Sequence, residues 1–166
     1  MDQGSDELSS LLGQALFKRG WMLVTAESCT GGLLAGAVTA IPGSSGWFER
    51  GFVTYSNESK VELLGVNPAT LARYGAVSEE TAREMADGAI AHSRADVAMA
   101  ITGIAGPDGG NAAKPVGTIW LAWRHGNGGT QAETYCLPGD RETVRHRVVT
   151  IALERLIALT KVDVNL

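Results

Sequence analysis

The segment WMLVTAESCTGGLLAGAVTA, residues 21–40, narrows the choice of fold more than any other part of the chain. Residues 21–26 are short, continuously apolar and partly β-branched, the pattern of a strand buried on both faces within a parallel sheet. The ESCTGG turn follows at once, and the small-residue run LLAGAVTA then reads as a helix. A strand, turn and helix in immediate succession is the repeating unit of an α/β domain.

The remaining elements extend that pattern. Leu8, Leu11, Leu12, Ala15 and Leu16 share one helical face that Gly20 ends, and IPGSSG at 41–46 is a loop. FVTYS around Tyr55 reads as a second strand ending near Asn57, with Lys60 within one helical turn beyond it. Asn67-Pro68 opens a short helix, and Ser78, Glu79 and Glu80 cap a longer one that runs through Met85 to about His92. DVAMAIT at 96–102 is a third buried strand, which empties into GIAGPDGGNAAKPVG, a loop longer and richer in glycine and proline than a connection requires. Residues 116–124 and 131–137 pair through the turn HGNGG, and residues 140–160 form a last amphipathic helix. The expected fold is a single α/β domain, with a mixed β-sheet covered by helices in an α/β/α layered arrangement.

Length and charge exclude several kinds of function. A chain of 166 residues, 45% hydrophobic and 19% charged, suits one core rather than two domains or a disordered segment. A net charge of -4 does not support a phosphate-backbone footprint, so nucleic acid is not an expected partner. Cys29 and Cys136 stand far apart with no CxxC pair, which fits a reducing cytoplasm. The N-terminal MDQGSDELSS carries acids where a signal peptide carries bases, and the weakly polar stretches are broken by Pro42, Gly106 and Glu154-Arg155, so no membrane span is expected. The 21 glycines are roughly twice the usual share and point to places where backbone must approach a ligand.

Ligands of such sheets sit beyond the carboxyl ends of the strands, where ESCTGG, TYSNESK and TGIAGPDGG emerge. Ser28, Cys29 and Thr30 stand at a strand-to-helix turn whose N–H groups can receive an anion or oxyanion. From the turn alone, helix capping by Ser28 or Thr30 is the commoner explanation. A serine nucleophile needs a base, and a lysine with a burial-lowered pKa can serve, although most lysines are simply solvated. Lys60 is the candidate base, Tyr55 stands near it, and Cys29 is a rival nucleophile without a recognisable histidine partner. The positions of His92, His125 and His146 give weak support to a Ser-His-Asp triad, and neither GxGxxG, a P-loop nor metal-ligand spacing is present.

Seven segments together carry a resemblance: AESCTGG at 26–32, PGSS at 42–45, VTYSN with Lys60, GAVSEE at 75–80, TGIAGP at 102–107, KPVG at 114–117 and GDRETVR at 139–145. In this order they resemble the CinA C-terminal domain family over about residues 7–160. The resemblance implies a stand-alone amidohydrolase that deamidates nicotinamide mononucleotide through a serine acyl-enzyme, with no metal or cofactor. It implies Ser28 as nucleophile, Lys60 as general base and Tyr55 as a hydroxyl assisting the proton transfers. Backbone N–H groups from Cys29 to Gly32 are the expected oxyanion donors. Cys29, Thr30, Gly31, Gly32, Thr102, Gly103, Ala105, Gly106, Arg141 and Arg145 are expected to line the nucleotide site. A homodimer or higher homo-oligomer is implied as well. Arg50, Asp108 and the NAA before Lys114 depart from the family pattern and bear on substrate fit, and Glu27 has no assigned role. The competing functions are a non-catalytic nucleotide-sensing or partner-binding module and an amidase for another small carboxamide.

Overall fold

The computed structural model describes residues 3–161. Helix α1 (Gln3–Arg19) leads to strand β1 (Leu23–Glu27) and helix α2 (Leu33–Thr39). Strand β2 (Phe48–Val53) follows, then three helices: α3 (Asn57–Leu64), α4 (Pro68–Tyr74) and α5 (Glu79–Ala91). Strand β3 (Val97–Gly103), the hairpin of β4 (Thr118–His125) and β5 (Gln131–Cys136), and the long helix α6 (Arg141–Lys161) complete the chain.

The strands form one sheet in the order β2-β1-β3-β4-β5, with β1 parallel to β2 and β3, and with β3–β4 and β4–β5 antiparallel. Because strand side chains alternate between faces, each central strand serves two cores. Val97, Met99 and Ile101 pack with α1, α2 and α6 through Leu12, Leu34 and Leu153. Ala98 and Ala100 face the other way, where Leu64, Met85 and Ala89 from α3 and α5 cover them. This is the expected α/β/α arrangement of helices on both faces of a mixed sheet. Among the described residues no helix is long and apolar enough to cross a membrane.

Several boundaries differ from the sequence reading, each for a local reason. Strand β1 begins at Leu23 rather than residue 21, because the backbone of Met22 is bonded to Asp96: its N–H donates to the Asp96 carboxylate and its carbonyl accepts from the Asp96 N–H. The strand extends through Glu27, whose carbonyl accepts from the Thr54 N–H. Strand β2 stops at Val53, short of Tyr55, because Ser56 starts a helix there by accepting the Ser59 N–H on its hydroxyl. That helix, α3, carries Lys60, and its mixed polar sequence NESKVELL gave no amphipathic signal. Leu11 is 55% exposed rather than on the buried face of α1, where Gly13 instead admits the Trp47 indole.

Candidate active site

The three parallel strands end on one edge of the sheet, and a cleft of about 270 Å³ lies just beyond it. Ser28 and Cys29 enter it from the end of β1, Tyr55 from the segment after β2, and Thr102 to Gly106 from the end of β3. Lys60 reaches in from α3 and Arg141 from the first turn of α6. Ala76 and Val77, between α4 and α5, supply an apolar wall. The Thr102 hydroxyl donates to the Ala76 carbonyl at 2.8 Å and so joins that wall to β3.

Lys60 dominates the electrostatics. Its side chain is 1% exposed, and its Nζ lies 3.0 Å from Ser28 Oγ and 2.7 Å from the Thr54 carbonyl oxygen, to which it donates. Among the described residues it has no carboxylate partner. Burial of an uncompensated ammonium is costly, and desolvation accordingly holds the Lys60 pKa below the ordinary lysine value. An amine deprotonated near neutral pH can donate one N–H to Thr54 and accept the Ser28 proton on its lone pair.

Cys29 is in the opposite condition. Burial pushes its thiol up to about 11, and the Glu27 charge adds to the rise, while its own backbone N–H, Arg145 and Arg141 offset part of it. A thiol in that state is a poor nucleophile at neutral pH. Arg141 ties the rim of the cleft together, donating to the Gly106 carbonyl and to the Tyr55 hydroxyl, each at 2.8 Å.

The turn that carries Ser28 is braced from behind. Glu27 is fully buried, and its carboxylate accepts the Thr30 hydroxyl at 2.6 Å, the Leu34 N–H at 2.9 Å and the Ala35 N–H at 3.0 Å. Two of these are first-turn donors of α2, which its N-cap Gly32 has no side chain to satisfy. No histidine lines the cleft: His92 ends α5 against the Gly88 carbonyl, His125 stacks on Trp21, and His146 lies exposed on α6. Among the described residues no three His, Cys, Asp or Glu side chains gather in an arrangement that could hold a metal ion.

The model of the CinA C-terminal domain matches residues 5–160. This chain belongs to the CinA C-terminal domain family. It is 53% identical over 150 residues to the nicotinamide-nucleotide amidohydrolase PncC of Escherichia coli strain K12, covering 90% of this chain and 91% of that protein. It is 49% identical over 152 residues to the protein of the same name from Pseudomonas putida, covering 92% and 94%. The crystal structure of the competence/damage inducible protein CihA from Agrobacterium tumefaciens superposes with a TM-score of 0.94 at 47% identity, covering 97% of this chain and 98% of that one.

The CinA fold of this chain brings together nine of the residues expected at the site: Ser28, Cys29, Tyr55, Lys60, Thr102, Gly103, Ala105, Gly106 and Arg141. Thr30, Gly31, Gly32 and Arg145 do not line the cleft. Thr30 is buried against Glu27, the Gly31 N–H is bonded to the Ser28 carbonyl, and Gly32 caps α2. Arg145 holds backbone carbonyls of the turn. Tyr55 is 60% exposed and bonded to Arg141 rather than to Ser28 or Lys60. Ala76, Val77, Ile104 and Gly109 line the cleft as well, and so does Asp108, the departure from the family pattern that bears on substrate fit. GAVSEE and the 103–117 loop contain them, and apart from the Asp108 carboxylate their residue types signal no chemistry.

Proposed function

We propose that this chain is a nicotinamide-nucleotide amidohydrolase that converts nicotinamide mononucleotide and water to nicotinic acid mononucleotide and ammonia through a serine acyl-enzyme. The observation that carries this reading is the contact between Ser28 Oγ and a buried Lys60 Nζ inside a cleft, in a chain half identical to enzymes named for that activity.

The neutral Lys60 amine takes the Ser28 proton as Oγ attacks the carboxamide carbon. The resulting tetrahedral oxyanion is met by the backbone N–H of Cys29, the residue after the nucleophile. Lys60, now an ammonium, gives its proton to the leaving nitrogen, and ammonia departs. Water then adds to the acyl-enzyme with Lys60 again as base, releasing the acid and restoring Ser28. Ala76, Val77 and Ile104 offer apolar surface for the flat pyridine ring, and Arg141 at the rim suits the phosphate. Tyr55, bonded to Arg141, is better suited to orienting that rim than to relaying protons at Ser28.

Purified protein is to be incubated with nicotinamide mononucleotide, its phosphate-free riboside, free nicotinamide and the intact dinucleotide, with ammonia and the acid product both measured. Equimolar ammonia and nicotinic acid mononucleotide, with the mononucleotide preferred, is the expected result. Release from free nicotinamide alone would mark a small-carboxamide amidase, and no release from any of the four would mark a binding module.

A further inference from the structure

The carbonyl groups of the turn after β1 are all engaged. Ser28 O accepts from the Gly31 N–H at 3.0 Å, Cys29 O from Arg145 Nε at 3.1 Å, and Thr30 O from the Leu33 N–H at 3.0 Å and Arg145 Nη2 at 3.3 Å. The N–H groups of Cys29 and Thr30 are bonded to no other residue among the described ones. In a planar trans peptide the C=O and the following N–H point in opposite directions. Each bond that holds a carbonyl therefore also aims the next N–H. The Gly31 bond fixes the peptide that carries the Cys29 N–H, and Arg145 fixes the peptide that carries the Thr30 N–H. From the other side, Glu27 anchors the Thr30 hydroxyl and the start of α2.

We propose that Arg145 is a positioning residue for acyl transfer at Ser28: with Glu27 it clamps the 28–30 turn, setting the Thr30 N–H directly and, through Thr30 O and the Gly31 N–H bond to Ser28 O, the Cys29 N–H that receives the oxyanion. This rests on the reading of Ser28 as the acylated hydroxyl. It assigns the substrate phosphate to Arg141 rather than Arg145, because Arg145 lies outside the cleft that Arg141 borders and directs its Nε and Nη2 at backbone carbonyls. Arg145 also borders a neighbouring hollow of about 500 Å³, bounded by Asp140, Arg141, Glu142 and His146, through which a free guanidinium ion can enter.

The test compares wild type with Arg145→Ala and Arg145→Lys. The lysine variant keeps the charge and covers the case in which the alanine variant does not fold. For nicotinamide mononucleotide, kcat is expected to fall about 100-fold, with KM changed by less than about threefold and guanidinium chloride restoring part of kcat to Arg145→Ala only. A KM raised more than about tenfold with kcat kept, or no change in either constant, would overturn the proposal.

A second readout needs no turnover. Pyridine-3-boronic acid accepts Ser28 Oγ on boron while the serine proton passes to Lys60, giving a tetrahedral boronate with its oxygen at the oxyanion position. Boron-11 NMR is expected to show that species with wild type and to show it weakened about 100-fold in both variants. Failure of the wild type to form it, or formation independent of residue 145, would overturn the proposal. Tetrahedral boronate that depends on Arg145, in a protein that turns over no nicotinamide nucleotide, would sink the substrate reading and leave this inference standing.

Discussion

Lys60 Nζ lies 3.0 Å from Ser28 Oγ, although the two residues come from different elements and the lysine is almost wholly removed from water. The pairing converts a fold-level likeness into a chemical hypothesis, because burial lowers the pKa of an amine within reach of a hydroxyl and so favours its use as a base. Lys60→Arg keeps a cation but holds its proton at all accessible pH. Its kcat is expected to fall roughly 100- to 10,000-fold, with a smaller change in KM. Steady-state kinetics at neutral pH checks this, and a variant with most of its turnover would show that Lys60 is not the base.

The same burial makes stability depend on pH. The folded pKa of Lys60 is lowered, whereas the unfolded chain titrates at about 10.4. Between those two values the unfolded chain binds a proton that the folded chain lacks, so the contribution of this group to stability rises with pH. Below the folded pKa the full cost is present, and above about 10.4 it is gone. The stability of wild type relative to Lys60→Met, from urea unfolding at a series of pH values, is therefore expected to climb across that window and level off on either side. A difference that is flat with pH would contradict a buried neutral amine. Activity should rise with pH through the same lowered pKa.

Cys29 is expected to be chemically quiet. With its thiol raised to about 11, iodoacetamide should label it far more slowly at pH 7.5 than the exposed Cys136. Cys29→Ala keeps the backbone N–H and should retain most of its turnover. Rapid alkylation of Cys29 that abolishes activity, together with an inactive alanine variant, would make the cysteine the nucleophile.

Gly88 is expected to act on the site through packing. A Cβ there would stand 1.9 Å from the Leu64 carbonyl oxygen, a backbone atom of α3, the helix that carries Lys60. Gly88→Ala must push α3 away, at a cost of about 1–3 kcal/mol or more, and should lower kcat by displacing Lys60. Thermal unfolding and kinetics on the same sample check both effects, and an unchanged melting temperature would contradict the close approach.

The layered sheet was legible because buried strands such as VAMAIT and the capped helix after Ser78 are each dictated locally, by apolar continuity and by side-chain capping. Ser28, Lys60 and Arg141 were legible as candidates through motif resemblance, whereas their meeting was not, because it depends on where α3 and α6 dock. The helix that holds Lys60 escaped notice because NESKVELL has little amphipathic contrast, and its start is set by one Ser56 hydroxyl. Glu27 illustrates the remaining limit. Side-chain alternation explains why it points away from its neighbour, but its three acceptor bonds exist only once the turn has closed over it.

The most direct test is to compare wild type and Ser28→Ala side by side with nicotinamide mononucleotide, measuring ammonia and nicotinic acid mononucleotide in each. The expected result is equimolar ammonia and acid from wild type, and a loss on the order of 1,000-fold or more in a folded Ser28→Ala. Turnover by Ser28→Ala near the wild-type rate would contradict acyl transfer at Ser28.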